Sequence, residues 1–226
     1  MCGGLPAGVW RRGCFVNFVD FMMLNREQVL ELTWEHLWLV GIATLLAVMV
    51  GLPLGIMIAR WLRWSKPVLA GANIVQTIPS LALFGFLLSA PWLGARADRL
   101  AILALTLCAL LPVIRNTYTG IRGVDPAVVE AGRGMGLTEW QLLWRVELPL
   151  ALSVILSGVR VAVVMSIGLA TIAAAIGAGG LGEFIYRGLA MVNNDLILAG
   201  AVPAAVLALS ADWGLGWVER RLRPRS

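Results

Sequence analysis

The chain has 226 residues, of which 59% are hydrophobic and only 14% are charged. An ordinary soluble domain carries about 25% charged residues, so a soluble fold could not bury this much apolar surface. The net charge of +5 comes almost entirely from arginine, since Lys66 is the single lysine. No run interleaves arginine with aromatic residues as a nucleic-acid groove does, and the positive balance is typical of membrane topology. An all-α polytopic membrane protein is predicted.

The N-terminal residues 1–34 are predicted to form an extracytoplasmic segment. Residues 1–15 lack the apolar core of a signal peptide, and we interpret them as disordered or as an extension upstream of the true start. Asn25 is the expected cap of a helix, with Gln28 reaching back to it. The amphipathic run that follows, ending near His36, predicts an interfacial helix.

Five charge-poor stretches are each long enough to cross a bilayer, which takes about 20 apolar residues. They make up a transmembrane domain over residues 35–218, and residues 219–226 form a basic tail. The predicted spans are residues 37–59, 68–90, 100–118, 148–176 and 196–217. A sixth span results if residues 177–193 also enter the bilayer.

Basic residues follow the first, third and fifth spans, for example at Arg60, Arg122 and Arg220. Cytoplasmic loops carry the excess of lysine and arginine. The N-terminus is therefore predicted outside and the C-terminus inside. The long loop at residues 119–147 is then cytoplasmic.

The second span carries polar side chains around Pro79, namely Asn73, Gln76, Thr77 and Ser80. Because proline removes a backbone hydrogen bond, a kink is expected there. The four polar side chains either line a pathway or make interhelical hydrogen bonds.

Arg160 is the one charge well inside an apolar run of the fourth span. Charges at such depth are costly and are often functional. It is a pathway residue, a structural strut or a snorkelling residue near the inner face. We favour the strut, with Asn73 and Gln76 as candidate partners.

Small residues are dense in the fourth span: Gly158, Ala162, Ser166, Gly168, Ala170, Ala173, Ala174 and Ala175. Such residues allow helices to approach closely. We interpret them as the interface with a second membrane subunit, in a homodimer or a pseudo-twofold heterodimer.

The segment after the fourth span matches G-x-G-x-x-G through Gly177, Gly179, Gly180 and Gly182. A dinucleotide site needs a preceding strand, whereas this motif follows a membrane span. A flexible or close-packed corner is predicted instead, and we treat these glycines as a possible gate hinge.

The loop between the third and fourth spans carries its own helix signals. Asp125 is a cap followed by Pro126 at the first helical position, and Gly136 is the expected left-handed stop. Thr138 and Gln141 form a capping box that opens a second helix. Two short helices with a glycine corner predict a rigid docking surface, and a plain interfacial connector is the alternative.

Enzymatic sites find little support in the sequence. There is no G-x-x-x-x-G-K-[ST] phosphate loop, so any chemical energy must come from another subunit. The single histidine, His36, lies at the outer edge of the first span, whereas an intramembrane Ser–His hydrolase needs both groups within hydrogen-bond reach. The three cysteines lack metal-ligand spacing. No catalytic residue, metal site or cofactor is predicted in this chain, and a passive channel remains a milder alternative.

At this loop the sequence resembles the inner-membrane permease subunits of bacterial ABC importers. Their signature is Glu-Ala-Ala, three residues, Gly, nine residues, Ile, one residue, Leu-Pro. The matching positions here are Glu130, Ala131, Gly132, Gly136, Val146, Leu148 and Pro149. Gly132 replaces the second alanine and Val146 replaces isoleucine. Gly132 either costs about 1 kcal/mol against alanine in a helix or allows a closer backbone approach.

A closer similarity is to permeases for glycine betaine, carnitine or choline, carried by residues 77–84, 111–121 and 176–182. It implies a type I importer permease of the bacterial inner membrane that works by alternating access. The loop would be a coupling helix docked on a separate ATPase, which would hold ATP and Mg. A second permease copy or paralogue and an extracytoplasmic solute-binding protein would complete the complex. An amino acid or another small solute is the alternative substrate, and the sequence does not name the osmolyte.

Overall fold

The computed structural model describes residues 18–89 and 96–222, and all regular structure in these ranges is helical. The α-helices are α1 Phe18–Leu24, α2 Arg26–Arg60, α3 Ser65–Thr77, α4 Ser80–Leu88, α5 Ala97–Arg122, α6 Pro126–Gly134, α7 Glu139–Leu142, α8 Leu148–Ala173, α9 Gly182–Met191 and α10 Asn194–Leu222. A π-helical turn, Leu143–Glu147, joins α7 to α8, and short 3-10 turns lie at Leu62–Trp64 and Ala174–Ile176.

Helices α2 and α5 run parallel to each other. A Cβ atom built on Gly51 would lie 2.9 Å from Val113 Cγ1, and one on Gly55 would lie 2.5 Å from Thr117 Cβ. The two helices therefore end at the same end of the bundle, which we call the elbow end; the opposite end is the far end. The chain between them must cross back, and the α3–α4 pair lies in that stretch.

Helices α8 and α10 complete the bundle. α8 is antiparallel to α5, because Gly120 approaches Val154 while Gly158 approaches Asn116. α10 is antiparallel to α8 and ends at the elbow end. The chain thus crosses the bundle five times, and the described segment begins and ends at opposite ends of it. The predicted all-α polytopic fold is confirmed.

Helix α9 lies at the far end and does not cross. Its ten residues span about 15 Å at 1.5 Å per residue, about half of a hydrocarbon core roughly 30 Å thick. It folds back on α10, where a Cβ on Gly188 would lie 2.7 Å from Ile197 Cγ1. The alternative with a sixth span at residues 177–193 is not what the structure contains.

The second span is broken, a larger departure from a straight helix than the kink expected at Pro79. α3 and α4 meet at an angle of 91°, and the backbone of Ile78 and Pro79 is extended, with ψ of 125° and 130°. Proline lacks an N–H and drives the preceding residue out of the helical region. A dipeptide of this kind ends one helix and starts the next.

α2 begins directly after Asn25 as predicted, but the predicted capping hydrogen bond is not formed. The Asn25 side-chain Nδ2 donates to Phe21 O at 3.0 Å, and it makes no cap hydrogen bond to α2. The reason is that the preceding residues are themselves helical and offer a carbonyl to the amide. α2 then runs without a break past His36, so the amphipathic run is continuous with the first span. Residues 1–15, interpreted as disordered or as an extension upstream of the true start, lie outside the described ranges.

The small residues of α8 mostly pack inside the chain. Ala162, Ala170 and Ala173 are completely buried, Ser166 is 1% exposed, and Gly158 faces Asn116 of α5. This corrects their assignment to an interface between subunits. The physical reason is that α8 lies between α2, α5 and α10, so close approach is needed within the bundle. Gly168 and Ala175 are the exposed members of the set.

Candidate functional site

The segment 126–147 at the elbow end, which we call the elbow, folds as its helix signals predict. Asp125 Oδ1 accepts a hydrogen bond from Ala127 N at 2.9 Å, directly before α6. Gly136 turns the chain with φ of +80°. Thr138 and Gln141 form both bonds of the capping box, at 3.3 and 3.0 Å. Two short helices therefore meet at a fixed corner.

Gly132 is where the two arms of the elbow touch. A Cβ atom built on it would lie 2.6 Å from Leu142 Cδ1, and Leu142 is completely buried. The Gly132 carbonyl accepts a hydrogen bond from Leu137 N at 3.2 Å. A side chain at this signature position would therefore press on Leu142, at the contact between α6 and α7.

Four charged side chains form a network between α2 and the elbow. Arg60 Nη2 donates to Glu147 Oε2 at 2.6 Å, and its Nη1 to Glu139 Oε2 at 3.2 Å. Arg133 Nε donates to Glu139 Oε1 at 2.9 Å, and this hydrogen bond raises the pKa of Arg133. The Glu147 side chain is only 7% exposed. Of the ion pairs in this network, the one between Arg60 and Glu147 is therefore the least screened by water.

Sequence reasoning missed this network. Glu147 is a carboxylate directly before an apolar span, which signals the need for a cationic partner. Arg60 entered only as a topological charge, and nothing along the chain distinguishes it from the other arginines at this end of the bundle.

The π-helical turn carries Glu147 and leads into α8. Here Leu148 N bonds to Leu143 O, five residues back. Pro149 at the start of α8 cannot donate a backbone hydrogen bond, and local π-helical pairing is one way to satisfy the carbonyls that such a proline leaves free. Single π-turns within helices often occur at functional sites.

The outer surface of the elbow is open. Glu130 and Ala131 are exposed, and Met135 and Trp140 are 76% and 67% exposed. The surface thus offers a carboxylate beside large apolar side chains, a combination suited to binding another protein. Of the remaining signature residues, Leu148 is half-buried and Pro149 exposed.

Of the four polar residues of the broken span, one makes an interhelical hydrogen bond and three do not. Gln76 Nε2 donates to Cys108 O of α5 at 3.0 Å, so this residue makes an interhelical bond. Thr77 Oγ1 bonds to Ile74 O of its own helix. Asn73 and Thr77 are exposed and Ser80 is half-buried. The pathway interpretation therefore remains for Asn73, Thr77 and Ser80.

Arg160 bridges two helices as a strut, but its partners differ from those predicted. Its Nε donates to Asp212 Oδ1 and its Nη2 to Asp212 Oδ2, both at 2.6 Å. Its Nη1 lies 3.5 Å from Glu219 Oε2. A Cβ on Gly216 would lie 2.9 Å from Nη1. The prediction of Asn73 and Gln76 as partners is wrong, because the antiparallel return of α10 brings distant carboxylates beside α8.

The glycine corner is held against α2. Gly177, Gly179 and Gly180 all have φ near +80°. Gly180 N donates to Glu35 Oε2 at 3.0 Å, and a Cβ on Gly179 would lie 2.5 Å from the same oxygen. Gly182 packs on the carbonyl of Thr171. The corner is close-packed, and its role as a hinge remains a prediction.

Within residues 18–89 and 96–222, no three His, Cys, Asp or Glu side chains are grouped to hold a metal ion. The buried His36 Nε2 instead lies 3.1 Å from Ile167 O of α8. The side chains brought together at the elbow and in the spans offer ion pairing and hydrogen bonding.

The chain is similar to a family of membrane transport components and to several of its named members. The model of the binding-protein-dependent transport system inner membrane component family matches residues 51–224. The carnitine transport permease protein OpuCD of Listeria monocytogenes is 46% identical over 209 residues, covering 92% of each chain. The glycine betaine/carnitine/choline transport system permease protein OpuCD of Bacillus subtilis is 48% identical over 201 residues, covering 88% of this chain and 86% of its own.

The osmoprotectant import permease protein OsmW of Salmonella typhimurium is 43% identical over 214 residues, covering 93% of this chain and 99% of its own. Among solved structures, the inward-facing MetNI methionine ABC transporter matches with a TM-score of 0.78 at 23% identity, covering 91% of this chain and 98% of that one. An amino acid ABC transporter matches with a TM-score of 0.72 at 23% identity, covering 92% and 100%. At such identities these two structures show a shared fold.

Proposed function

Because the chain belongs to the family of binding-protein-dependent transport inner membrane components, we propose that it is the permease of an ATP-driven importer for a quaternary-ammonium osmoprotectant. The observation that carries the substrate class is near-full-length identity above 40% to permeases named for carnitine, glycine betaine and choline. The likeness to methionine and amino-acid transporters is only structural, so an amino-acid substrate is the weaker alternative.

The elbow is the surface that receives the work of ATP hydrolysis. It is rigid, exposed and covalently joined to both α5 and α8, so a force applied to it reaches two long helices. In this proposal a separate ATPase subunit holds ATP and Mg and docks over Glu130, Met135 and their neighbours. Movement of the elbow then changes which end of the bundle is open to solute.

The broken span supports a pathway shared with a second permease subunit. Irregular backbone at membrane depth is tolerated only where protein buries it or where it lines a water-filled cavity. Ile78, at the break, is 40% exposed in the single chain, and Asn73 and Thr77 are exposed beside it. A second copy or a paralogue facing this break would cover it and leave a polar path between the two subunits.

Orientation follows from the same proposal. The elbow end faces the cytoplasm, where the ATPase is, and the far end faces outward, where a solute-binding protein delivers the osmolyte. This places the start of α2 outside and the end of α10 inside the bacterial inner membrane. Arg220 and Arg221 in the last turn of α10 agree with the positive-inside rule.

Reconstitution tests the proposal. Liposomes containing this permease, its ATPase and its second membrane subunit, with the binding protein outside, are expected to accumulate radiolabelled glycine betaine, carnitine or choline against a gradient when ATP is inside. A panel of amino acids serves as the competing substrate class. Downhill flux through the permease alone, or uptake of amino acids but not of quaternary ammonium compounds, would contradict the proposal.

A further inference from the structure

We propose that Arg60 is a positioning residue that links α2 to the elbow, so that α2 and the broken span move with the docked ATPase. This rests on the proposed function, since it concerns how movement of the elbow reaches the transport path. Its basis is the ion-pair network at the end of α2.

The covalent chain joins the elbow to only two of the long helices. α5 leads into α6 through residues 123–125, and α8 follows the π-helical turn directly. α2 has no such connection, because its chain continues into α3. Arg60, in the last turn of α2, links α2 to the elbow through polar side-chain contacts, beside the buried apolar cluster that contains Ala59 of α2 and Leu143 of the elbow.

Arg60 holds the second arm of the elbow at two points, the start of α7 and the π-helical turn that follows it, and Glu139 in turn pairs with Arg133 of α6. Its Nη2 lies 2.6 Å from Glu147 Oε2 in the π-helical turn and 3.3 Å from the Glu139 carbonyl. Its Nη1 lies 3.2 Å from the Glu139 carboxylate at the start of α7. A planar guanidinium with several fixed donors can meet three acceptors, whereas a lysine ammonium acts as a point charge.

Burial makes the link persistent. The Glu147 side chain is 7% exposed and that of Arg60 is 26% exposed. Separating a largely buried carboxylate from the cation that donates to it leaves a poorly compensated charge, which is strongly unfavourable. The more exposed Glu139 also pairs with Arg133. Glu139 therefore keeps a cationic partner if the elbow shifts away from Arg60.

Movement of the end of α2 has two consequences in the fold. α2 is interlocked with α5 at Gly51 and Gly55, so the helices tied to the elbow move as one body. The broken span begins a few residues after Arg60, at Ser65, whose hydroxyl bonds to Leu62 O at 2.7 Å. Displacement at Arg60 is therefore passed to the helix that carries Asn73 and Thr77.

The test compares solute moved with ATP hydrolysed in the full reconstituted complex. Arg60→Gln is expected to lower the ratio of uptake to ATP hydrolysis at least fivefold, and Arg60→Lys to lower it about twofold to threefold. Arg63→Gln is the matched control: Arg63 is exposed, lies near Arg60 and contacts only the Trp64 ring among its described partners. A purely structural loss would reduce uptake and hydrolysis together and leave the ratio unchanged, which would overturn the proposal.

A double-mutant cycle identifies the partner. Glu147→Gln alone is expected to lower the ratio as Arg60→Gln does, and the double variant should be no worse than either single variant. If the two losses multiply, the residues act separately and the link is wrong.

A measurement without transport gives an independent readout. Spin labels at the exposed positions Lys66 and Met135 report the separation of the α2 end from the elbow, in a background whose native cysteines are alanine. A single narrow distance distribution is expected with Arg60 and a broad one with Arg60→Gln; equal distributions would refute the link. If the parent complex does not import osmolyte at all, the proposed function fails, whereas normal import with a normal ratio in Arg60→Gln removes only this inference.

Discussion

At the scale of single residues, the charge that α8 carries within its apolar run is placed beside a specific partner. Arg160 meets the Asp212 carboxylate through two hydrogen bonds of 2.6 Å. Gly216 supports this geometry, since any side chain there would meet the guanidinium. Unpaired charge within a span is expensive. The pair therefore connects α8 to α10 and compensates both charges.

We expect Asp212→Asn and Arg160→Leu each to lower the apparent melting temperature by several degrees and to reduce uptake. The reason is that each breaks the close pair: Arg160→Leu removes the guanidinium from Asp212, and Asp212→Asn leaves Arg160 only its longer contact with Glu219. The double variant with leucine at both positions should recover most of the melting temperature, because removing a whole ion pair costs less than breaking it. Differential scanning fluorimetry in detergent provides the measurement. A double variant less stable than both single variants would show that the pair is not a strut.

A second prediction at this scale concerns the contact between Gly132 and Leu142. Gly132→Ala should be close to neutral, since Leu142 Cδ1 is the movable end of a side chain and alanine favours a helix by about 1 kcal/mol. Gly132→Leu should separate the two arms of the elbow. Gly134→Leu is the matched control, because a Cβ there meets nothing within 4 Å. Hydrogen exchange should show amides of residues 126–147 losing at least tenfold protection only in Gly132→Leu. Equal protection in both leucine variants would contradict the packing role.

At the scale of elements, the glycine corner and the broken span are the two irregular stretches that interrupt the long helices. The corner carries three left-handed glycines and is bound by Glu35 of α2. It therefore fixes the far end of α8 against α2, while Arg60 fixes the elbow end. A helix bundle held at both ends in this way can move as a body.

Gly177→Ala and Gly179→Ala separate backbone strain from side-chain contact. Both positions have φ near +80°, where an L-residue costs roughly 1–2 kcal/mol. Only a Cβ on Gly179 would also meet the Glu35 carboxylate. Gly179→Ala should therefore lower thermal stability more than Gly177→Ala does. Initial uptake rates are expected to fall severalfold in Gly179→Val without loss of complex assembly on size-exclusion chromatography; normal uptake would rule out a hinge.

At the scale of the whole molecule, topology follows from where the helices end. α2 and α5 run parallel, so the chain crosses back once between them, and the antiparallel α8 and α10 bring the number of crossings from the start of α2 to the end of α10 to five. The elbow and α9 consequently lie at opposite ends. In the proposed orientation the first is cytoplasmic and the second external.

Cysteine labelling in intact cells tests this orientation. Met135 in the elbow and Met191 in α9 are 76% and 55% exposed, so a cysteine at either position can react. A membrane-impermeant maleimide should label Met191→Cys in intact cells and Met135→Cys only after permeabilisation. The alanine-substituted cysteine background is the control for labelling elsewhere. The reverse pattern would place the elbow outside and exclude ATPase docking from the cytoplasm.

The sequence by itself determined the class and the local form of the elbow, and it narrowed the number of crossings to five or six. Apolar length sets a span, and caps such as Asp125 and the Thr138 box act through neighbouring backbone groups, so short windows contain the necessary information. The same holds for Gly136, whose left-handed φ follows from its place after a helix. Where the sequence expectation failed locally, at Asn25, an adjacent helix supplied a competing carbonyl.

Only the tertiary structure decided which distant residues meet. Arg160 pairs with Asp212, Arg60 with Glu147, and Glu35 with Gly180, across 52, 87 and 145 positions of the chain. Small residues of α8 likewise turned inward because α8 is surrounded by its own chain. Partner choice of this kind depends on helix order, direction and rotation, which are fixed when the whole bundle packs and are not encoded in any single segment.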